Sequence, residues 1–546
     1  ARGACAMILL HNARIRTMNP AQPEAQALLI RDGRIAAVGE VEVLRALAPG
    51  VAEIDAGGRL CLPGFQDAHI HLLSGGTDLA TAAPLFDVTE PAALVQALAD
   101  HAARHPGLPL ILGTGWQPGL FGDHNLTAAL LDTACASRPV IAYDSSFHNA
   151  CLNTAALALA GIGADTPDPP NGHIVKVDGQ PTGMLHEEAI PWALARLPDL
   201  TEDDRMAGLR AGQAHAHAHG ITGILDPRIT ELEARIYGRA LAEGALTLWV
   251  AGAALVTEAD TPETALARLT ALRAAHPGPE FHVQSAKFFM DGVFENRTAA
   301  LLAPYADAPG GNAEPMFGAA QTRALFTALD AARFAIHVHV IGDAACARAL
   351  DGLATARAAN GAWPAAHQLA HLQLVAPEDC PRLTATGAMA NIQPLWARRD
   401  PLIPDIALDM IGPARESQTY AFRRMLDAGA GFCLSSDWPV STLNPFEIIE
   451  TAVTRQARQC DGPKPPFLPD QALTVAECVA GYTVHAARAC WREGFTGQLA
   501  PGFSADLILL DQDIFTCDPA RISDTRVDLT LFRGRIVHHS GALFLP

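Results

Sequence analysis

The chain has 546 residues, 49% of them hydrophobic and 18% charged, enough apolar material for a large core and too much for a disordered or fibrous polymer. Its 39 Lys and Arg against 58 Asp and Glu leave a formal charge of -19, a field that repels phosphate backbones and anionic bilayers, so neither nucleic acid nor a membrane is an expected partner. No apolar run reaches the ~18 residues that span a bilayer, and Ala6 to Leu10 lacks the length and cleavage pattern of a signal peptide, which makes the cytoplasm the expected compartment. The 11 cysteines are scattered without a C-x-x-C pair, and their odd number reads as reduced core residues rather than a disulfide framework.

In chain order, Ala27 to Gly39 is an apolar run broken by a Gly-containing turn, and Leu529 to His538 near the other end repeats the pattern. Two ends that both form strands can share a sheet, so residues 1–58 and 495–546 are expected to form one small β-sandwich domain. From Leu60 onward, short apolar runs alternate with Ala- and Leu-rich stretches of helical period, the pattern of βα units around a parallel sheet. Strands are expected to end near His69, Leu225, Val250, Phe289, His339, His371, Gln393 and Asp437, which is the set of eight that closes a (β/α)8 barrel of TIM type. Helices are expected at Thr201 to His219, Thr261 to His276, Gln321 to Arg333, Asp343 to Asn360 and Thr419 to Ala428.

The barrel is therefore assigned residues 59–74 and 206–494, with residues 75–205 as an insertion after its first strand. That gap far exceeds a βα loop of about 2–6 residues. It carries its own strands at Leu108 to Gly113 and Pro139 to Tyr143, a helix at Pro91 to His105, and an exposed loop at Thr166 to Gly172. Barrel active sites lie at the C-terminal strand ends, so an insertion there is expected to act as a lid that helps choose the substrate.

The most informative segment is Leu62 to His71, LPGFQDAHIH. Strand period is two, so His69 and His71 point to one side and can share a metal ion. Other strand ends carry ligand-type residues as well: Lys287 in SAKFFMDG, His339 in IHVHVIGD, His371 in LAHLQL and Asp437 in LSSDWP. Burying each of these without a partner is expensive, and a shared metal resolves all of them.

With those residues stand GTGW at Gly113 to Trp116, RTAAL at Arg297 to Leu301, HVIGDAA at His339 to Ala345, Gln393-Pro394, SSDWPV at Ser435 to Val440 and GQLAPGFSADLILLD at Gly497 to Asp511. In this order and combination the chain resembles the metal-dependent amidohydrolase superfamily, and within it the amidohydrolase family 3 branch, over nearly its whole length. The resemblance implies that His69, His71, His339, His371 and Asp437 bind metal, and that Lys287 is a carbamate bridging two ions. A single-metal site is the alternative. Lysine must be neutral to react with carbon dioxide, and Phe288, Phe289 and Met290 beside it favour the neutral form by desolvation.

Zn²⁺ lowers the pKa of a bound water to about 7. The hydroxide so formed attacks a carbonyl carbon, with Asp437 as general base and then as the acid that protonates the leaving nitrogen. The expected activity is hydrolysis of a non-peptide carbon–nitrogen bond in a small molecule, such as an N-acyl or N-formyl amine or a cyclic amide. Deamination, decarboxylation or ester cleavage at the same site is the rival, and a non-catalytic barrel is a further one. The mark of the latter is a lost ligand, and none is lost. The resemblance also implies a homodimer.

Three positions depart from the family pattern: Ala370 stands before His371 where an acidic residue is common, Trp438 follows Asp437, and Trp396 stands where a histidine is frequent after Gln-Pro. Trp116, Phe289, Trp396 and Trp438 are candidate pocket walls, and His148 resembles a family position near the substrate. His215 and His219 have the i, i+4 spacing of a zinc pair but precede a strand, which reads as an exposed helix end on the wrong barrel face. His337, on the same strand side as His339, reads as a core or supporting residue. No G-x-x-x-x-G-K-[ST] and no G-x-S-x-G occurs, so neither a nucleotide cofactor nor a serine nucleophile is indicated.

Overall fold

Eight short runs of buried apolar residues form one parallel sheet, and their burial on both faces accounts for their composition. In the computed structural model, which describes residues 7–121, 125–307, 311–399, 404–457 and 464–543, these strands are Phe65–Asp67 (β1), Ile221–Ile229 (β2), Trp249–Leu255 (β3) and Phe281–Phe289 (β4). Ala335–Val340 (β5), Gln368–His371 (β6), Met389–Ile392 (β7) and Gly431–Leu434 (β8) complete the set. Each strand pairs with the next from β1 to β8. The ring closes through backbone bonds at the end of β1: Ala68 N to Leu434 O at 3.4 Å, Asp437 N to His69 O at 2.8 Å and His71 N to Trp438 O at 2.9 Å. The result is a TIM-type barrel with outer helices that include Glu202–Ala218, Pro262–Ala275, Ala319–Ala331 and Asp343–Asn360.

The strand expected to end near Val250 instead begins at Trp249 and runs to Leu255. Its Ala and Gly residues carry no strand propensity of their own. They are used because the neighbours crowd them: a Cβ on Gly252 would meet Ile229 at 2.8 Å.

Both chain ends build two sheets. Arg34–Gly39, Ala27–Arg31, Met7–His11 and Ala52–Asp55 form one. Arg535–His539, Val527–Phe532, Leu507–Leu510, Leu60–Pro63, Arg14–Arg16 and Glu24–Ala25 form the other, so Leu60–Pro63 pairs with the chain ends and the barrel starts at Phe65. Leu10, Leu28 and Ile30 from the first sheet and Ile15, Cys61, Leu507, Leu529 and Leu531 from the second share one core, the packing of a β-sandwich.

The chain divides into two compact units, the second formed by Leu72–Gly212 with Pro439–Ser441. Taken by itself, that unit is a six-stranded sheet in the order Gly172–Val177, Gln180–Glu187, Asn149–Leu152, Val140–Asp144, Ile111–Trp116, Ala82–Pro84. The helix Pro91–Arg104 packs on it through Leu94 and Leu98. The described cysteines are all free, and no helix among the described residues is long and apolar enough to cross a membrane.

Gly64 joins the small sheet to β1, where a Cβ would overlap the buried Thr222 side chain of β2, with even Thr222 Cβ only 3.0 Å away. G64A is expected to cost about 1–3 kcal/mol by overpacking and to lower the thermal midpoint. An unchanged midpoint in a melting curve would show that the junction has slack.

Candidate functional site

Side chains on a strand alternate, so Lys287 and Phe289 share one side of β4, and His337 and His339 share one side of β5. Cross-strand register aligns Lys287 with His337 and Phe289 with His339, and sets Val340 against His371. The closure bonds between His69 and Asp437 and between His71 and Trp438 bring the two ends of the barrel sequence together. As a result, Asp437 Oδ1 lies 3.4 Å from His69 Nε2 and 3.3 Å from His71 Nε2, and Asp437 Oδ2 lies 3.9 Å from His371 Nδ1. Asp437 Oδ1 is buried and has no hydrogen-bond partner.

His69, His71 and Asp437 form the one group of three ligand-type side chains among the described residues with donor atoms within 4.8 Å of one another. Two imidazoles facing an unpartnered carboxylate oxygen suit a divalent cation. His371 is next to His69, with ring centroids 4.9 Å apart, and His339 next to His371 at 4.5 Å. His371 and Asp437 adopt positive φ of 79° and 55°, the left-handed backbone that His and Asp tolerate better than most residues and that clusters at functional sites.

Neighbours anchor one nitrogen of each of two of these rings. His339 Nε2 lies 3.1 Å from the Gly292 carbonyl, which only accepts, so Nε2 carries a proton. His371 donates from Nδ1 to Gln393 Oε1 at 3.0 Å, leaving Nε2 as the donor atom. The Gln393 orientation follows from its other bonds: Nε2 donates to Ser435 Oγ at 2.7 Å and Asn391 Oδ1 at 3.1 Å. Asn391 Nδ2 then donates to Gln368 Oε1 at 2.7 Å and to the Ala68 carbonyl at 2.9 Å, tying this relay to β1.

Electrostatics follow burial. His69 and His371 are held well below the ordinary histidine value, chiefly by desolvation, and are neutral as metal binding requires. Burial alone raises the Asp437 carboxyl, but the close approach of His71, with His371 and Lys287 nearby, holds it below its usual value. Lys287 is fully buried, with Nζ 4.4 Å from the Phe289 ring centroid. Desolvation pushes its amine down to about 7 against the opposing charges of Asp437 and Asp226, with Arg228 adding to the fall.

Two carboxylates without a role in the sequence reading organise the loops. Asp67 Oδ1 accepts from His69 N at 3.1 Å and Ser436 N at 3.2 Å, joining the segments that carry His69 and Asp437, and burial pushes its carboxyl up to about 7. Asp291 accepts from Ile341 N at 3.0 Å, Gly342 N at 2.8 Å and Ala300 N at 3.0 Å. A Cβ on Gly342 would overlap the Ala300 carbonyl, so glycine allows this close approach.

The aromatic candidates separate. Trp396 stacks on His371 at 5.4 Å and 22°, with its buried Nε1 unpartnered, and Phe289 lies 5.4 Å from His339. Trp438 packs against His215 at 5.5 Å. His215 is thereby not an exposed helix end: it is half-buried, its imidazole is pushed down to about 4 by desolvation, and His219 Nδ1 bonds to its carbonyl at 2.9 Å. In the inserted unit, Trp116 is enclosed in that unit's own core against Phe121, and His148 Nδ1 lies 2.7 Å from Glu187 Oε2.

The chain matches the amidohydrolase family over residues 52–538. It is 27% identical to the putative amidohydrolase YtcJ of Bacillus subtilis, covering 97% of this chain and 98% of that one. It is 28% identical to the N-substituted formamide deformylase of Arthrobacter pascens, covering 96% and 97%. Its fold is shared with an uncharacterized metal-dependent hydrolase from Pyrococcus horikoshii at a TM-score of 0.76 and 23% identity, covering 94% and 99%. The chain belongs to the amidohydrolase family, and is a hydrolase acting on carbon–nitrogen bonds.

The unfolded chain holds the Lys287 proton up to the ordinary value of 10.5, whereas the folded protein releases it near 7. The unfolded state binds more protons across that window, so stability rises with pH there, by at most about 1.4 kcal/mol per pH unit for one group. Denaturant titrations of metal-stripped protein from pH 7 to 10 are expected to show a steeper rise in wild type than in K287M. Equal slopes would mean that Lys287 keeps its proton in the fold.

Proposed function

We propose that the protein is a metal-dependent amidohydrolase that cleaves a small N-acyl or N-formyl amine, or a cyclic amide, with Asp437 as the proton-transfer group. The observation that carries this reading is the convergence of His69 Nε2 and His71 Nε2 on the buried, unpartnered Asp437 Oδ1. His69, His71 and Asp437 would hold one divalent cation, zinc being the ion whose preference for imidazole and carboxylate donors fits. His339 and His371, each anchored by one ring nitrogen, with Lys287 as a carbamate, would hold a second. A cation bound there acidifies a water and polarises a substrate carbonyl.

This chain's residues supply the rest. Asp437 accepts the proton of the attacking water and returns it to the leaving nitrogen as the tetrahedral carbon collapses. Its carboxyl is held below the usual carboxylate value, the ionised state a base must have, with His71 beside it as the chief cause that opposes burial. The left-handed backbone at Asp437 and the bond from its N–H to His69 O fix where that proton is taken and delivered. Trp396 on His371 and Phe289 on His339 give the site apolar walls suited to a hydrophobic acyl or amine group. The Arthrobacter relative of that name acts on N-substituted formamides, which supports starting with formyl amines.

Turnover of a panel of N-formyl amines, N-acyl amines and cyclic amides, with the released amine quantified, tests the reading. Wild type is expected to release amine, and D437N to lose about 10²–10⁴-fold in kcat, the usual worth of a general base. Ammonia, carbon dioxide or an alcohol as the product would replace amide hydrolysis with deamination, decarboxylation or ester cleavage. Equal rates in D437N and wild type would remove Asp437 from the mechanism.

A further inference from the structure

Each of the buried imidazoles His339 and His371 turns one ring nitrogen to an acceptor that has no proton to give back. His69 is different, because its Nδ1 lies 2.8 Å from Nε2 of His337, and either nitrogen can be the donor. A neutral pair has two arrangements. When His337 donates, the His69 proton sits on Nε2, facing Asp437 Oδ1 at 3.4 Å, and that nitrogen has no lone pair for a cation. When His69 donates, its Nε2 lone pair is free, and His337 carries its own proton on Nδ1, a buried nitrogen without a partner.

We propose that His337 is a positioning residue for the metal centre: by accepting the His69 Nδ1–H it sets the tautomer in which His69 Nε2 can bind the cation. This rests on the metal-dependent reading above and adds to it a residue that touches neither cation nor substrate. The placement suits the role. His337 is fully buried, lies in register with Lys287 on β4 and Gln368 on β6, and its ring centroid is 4.8 Å from that of His69. The unpartnered Nδ1 is the cost of that arrangement, since a buried polar group left unsatisfied is retained only where something offsets it. Neighbours that orient a metal-binding histidine are usually carboxylates or carbonyls, and here a second imidazole takes that position.

The test compares zinc affinity, by competition with a fluorescent chelator, in wild type, H337M and H337Q. Met and Gln have similar volume, but only Gln offers a carbonyl acceptor. H337M is expected to weaken zinc binding about 10–100-fold, the usual effect of removing such a neighbour, and H337Q to recover most of the loss. Circular dichroism checks that each variant folds, and H337L, which also lacks an acceptor, carries the same expectation if H337M does not. If wild type takes up no zinc, the functional reading itself fails. If wild type binds zinc and H337M binds within about twofold of it, or H337Q is as weak as H337M, the tautomer role is overturned while the functional reading stands.

Discussion

The site depends on how the barrel closes. β1 and β8 meet through backbone bonds beyond their ends, from Asp437 N to His69 O and from His71 N to Trp438 O. These bonds join segments more than 360 residues apart in the chain, and they place an H-x-H pair opposite a carboxylate at hydrogen-bonding range. Asp67 strengthens the closure by accepting from both His69 N and Ser436 N. These bonds bring the two end strands of the eight-stranded sheet together, so the donor geometry is set by the fold as well as by the side chains.

Beneath the site, a chain of side-chain amides and one hydroxyl is hydrogen-bonded. The relay from His371 through Gln393, Ser435, Asn391 and Gln368 runs from β6 to β8 and reaches the Ala68 carbonyl beside β1. It holds His371 in one tautomer and keeps buried amides from being left without partners, each of which would cost about 1–3 kcal/mol. Lys287 is fully buried, so its charged form is costly. Its displaced amine is a consequence of apolar packing around Phe288 and Phe289, and it favours the neutral form that reacts with carbon dioxide.

Much of this is legible in the sequence, for a physical reason. Strands that bury both faces have few polar residues, so His69, Lys287, His339, His371 and Asp437 stand out at their ends, and the eight apolar runs that precede them give the barrel. What the sequence hides are pairings between distant strands. Asn391, Gln368 and Ser435 look like ordinary polar residues until register places them side by side, and Asp67 and Asp291 become organisers only when backbone N–H groups from other loops converge on them. The His215–Trp438 contact is hidden in the same way, because helical spacing gives the face of His215 but not the loop that packs against it. The third strand lies a few residues beyond its expected position because Ala and Gly suit a crowded barrel wall but carry no strand signal.

The central claim is that closure of β1 on β8 builds a cation site from His69, His71 and Asp437. Anomalous diffraction at the zinc edge, on crystals of protein grown with zinc, tests it most directly. The account predicts a peak within about 2.0–2.2 Å of His69 Nε2, His71 Nε2 and an Asp437 carboxylate oxygen. A zinc-loaded crystal with its peak elsewhere, or with no peak among these three side chains, would contradict it.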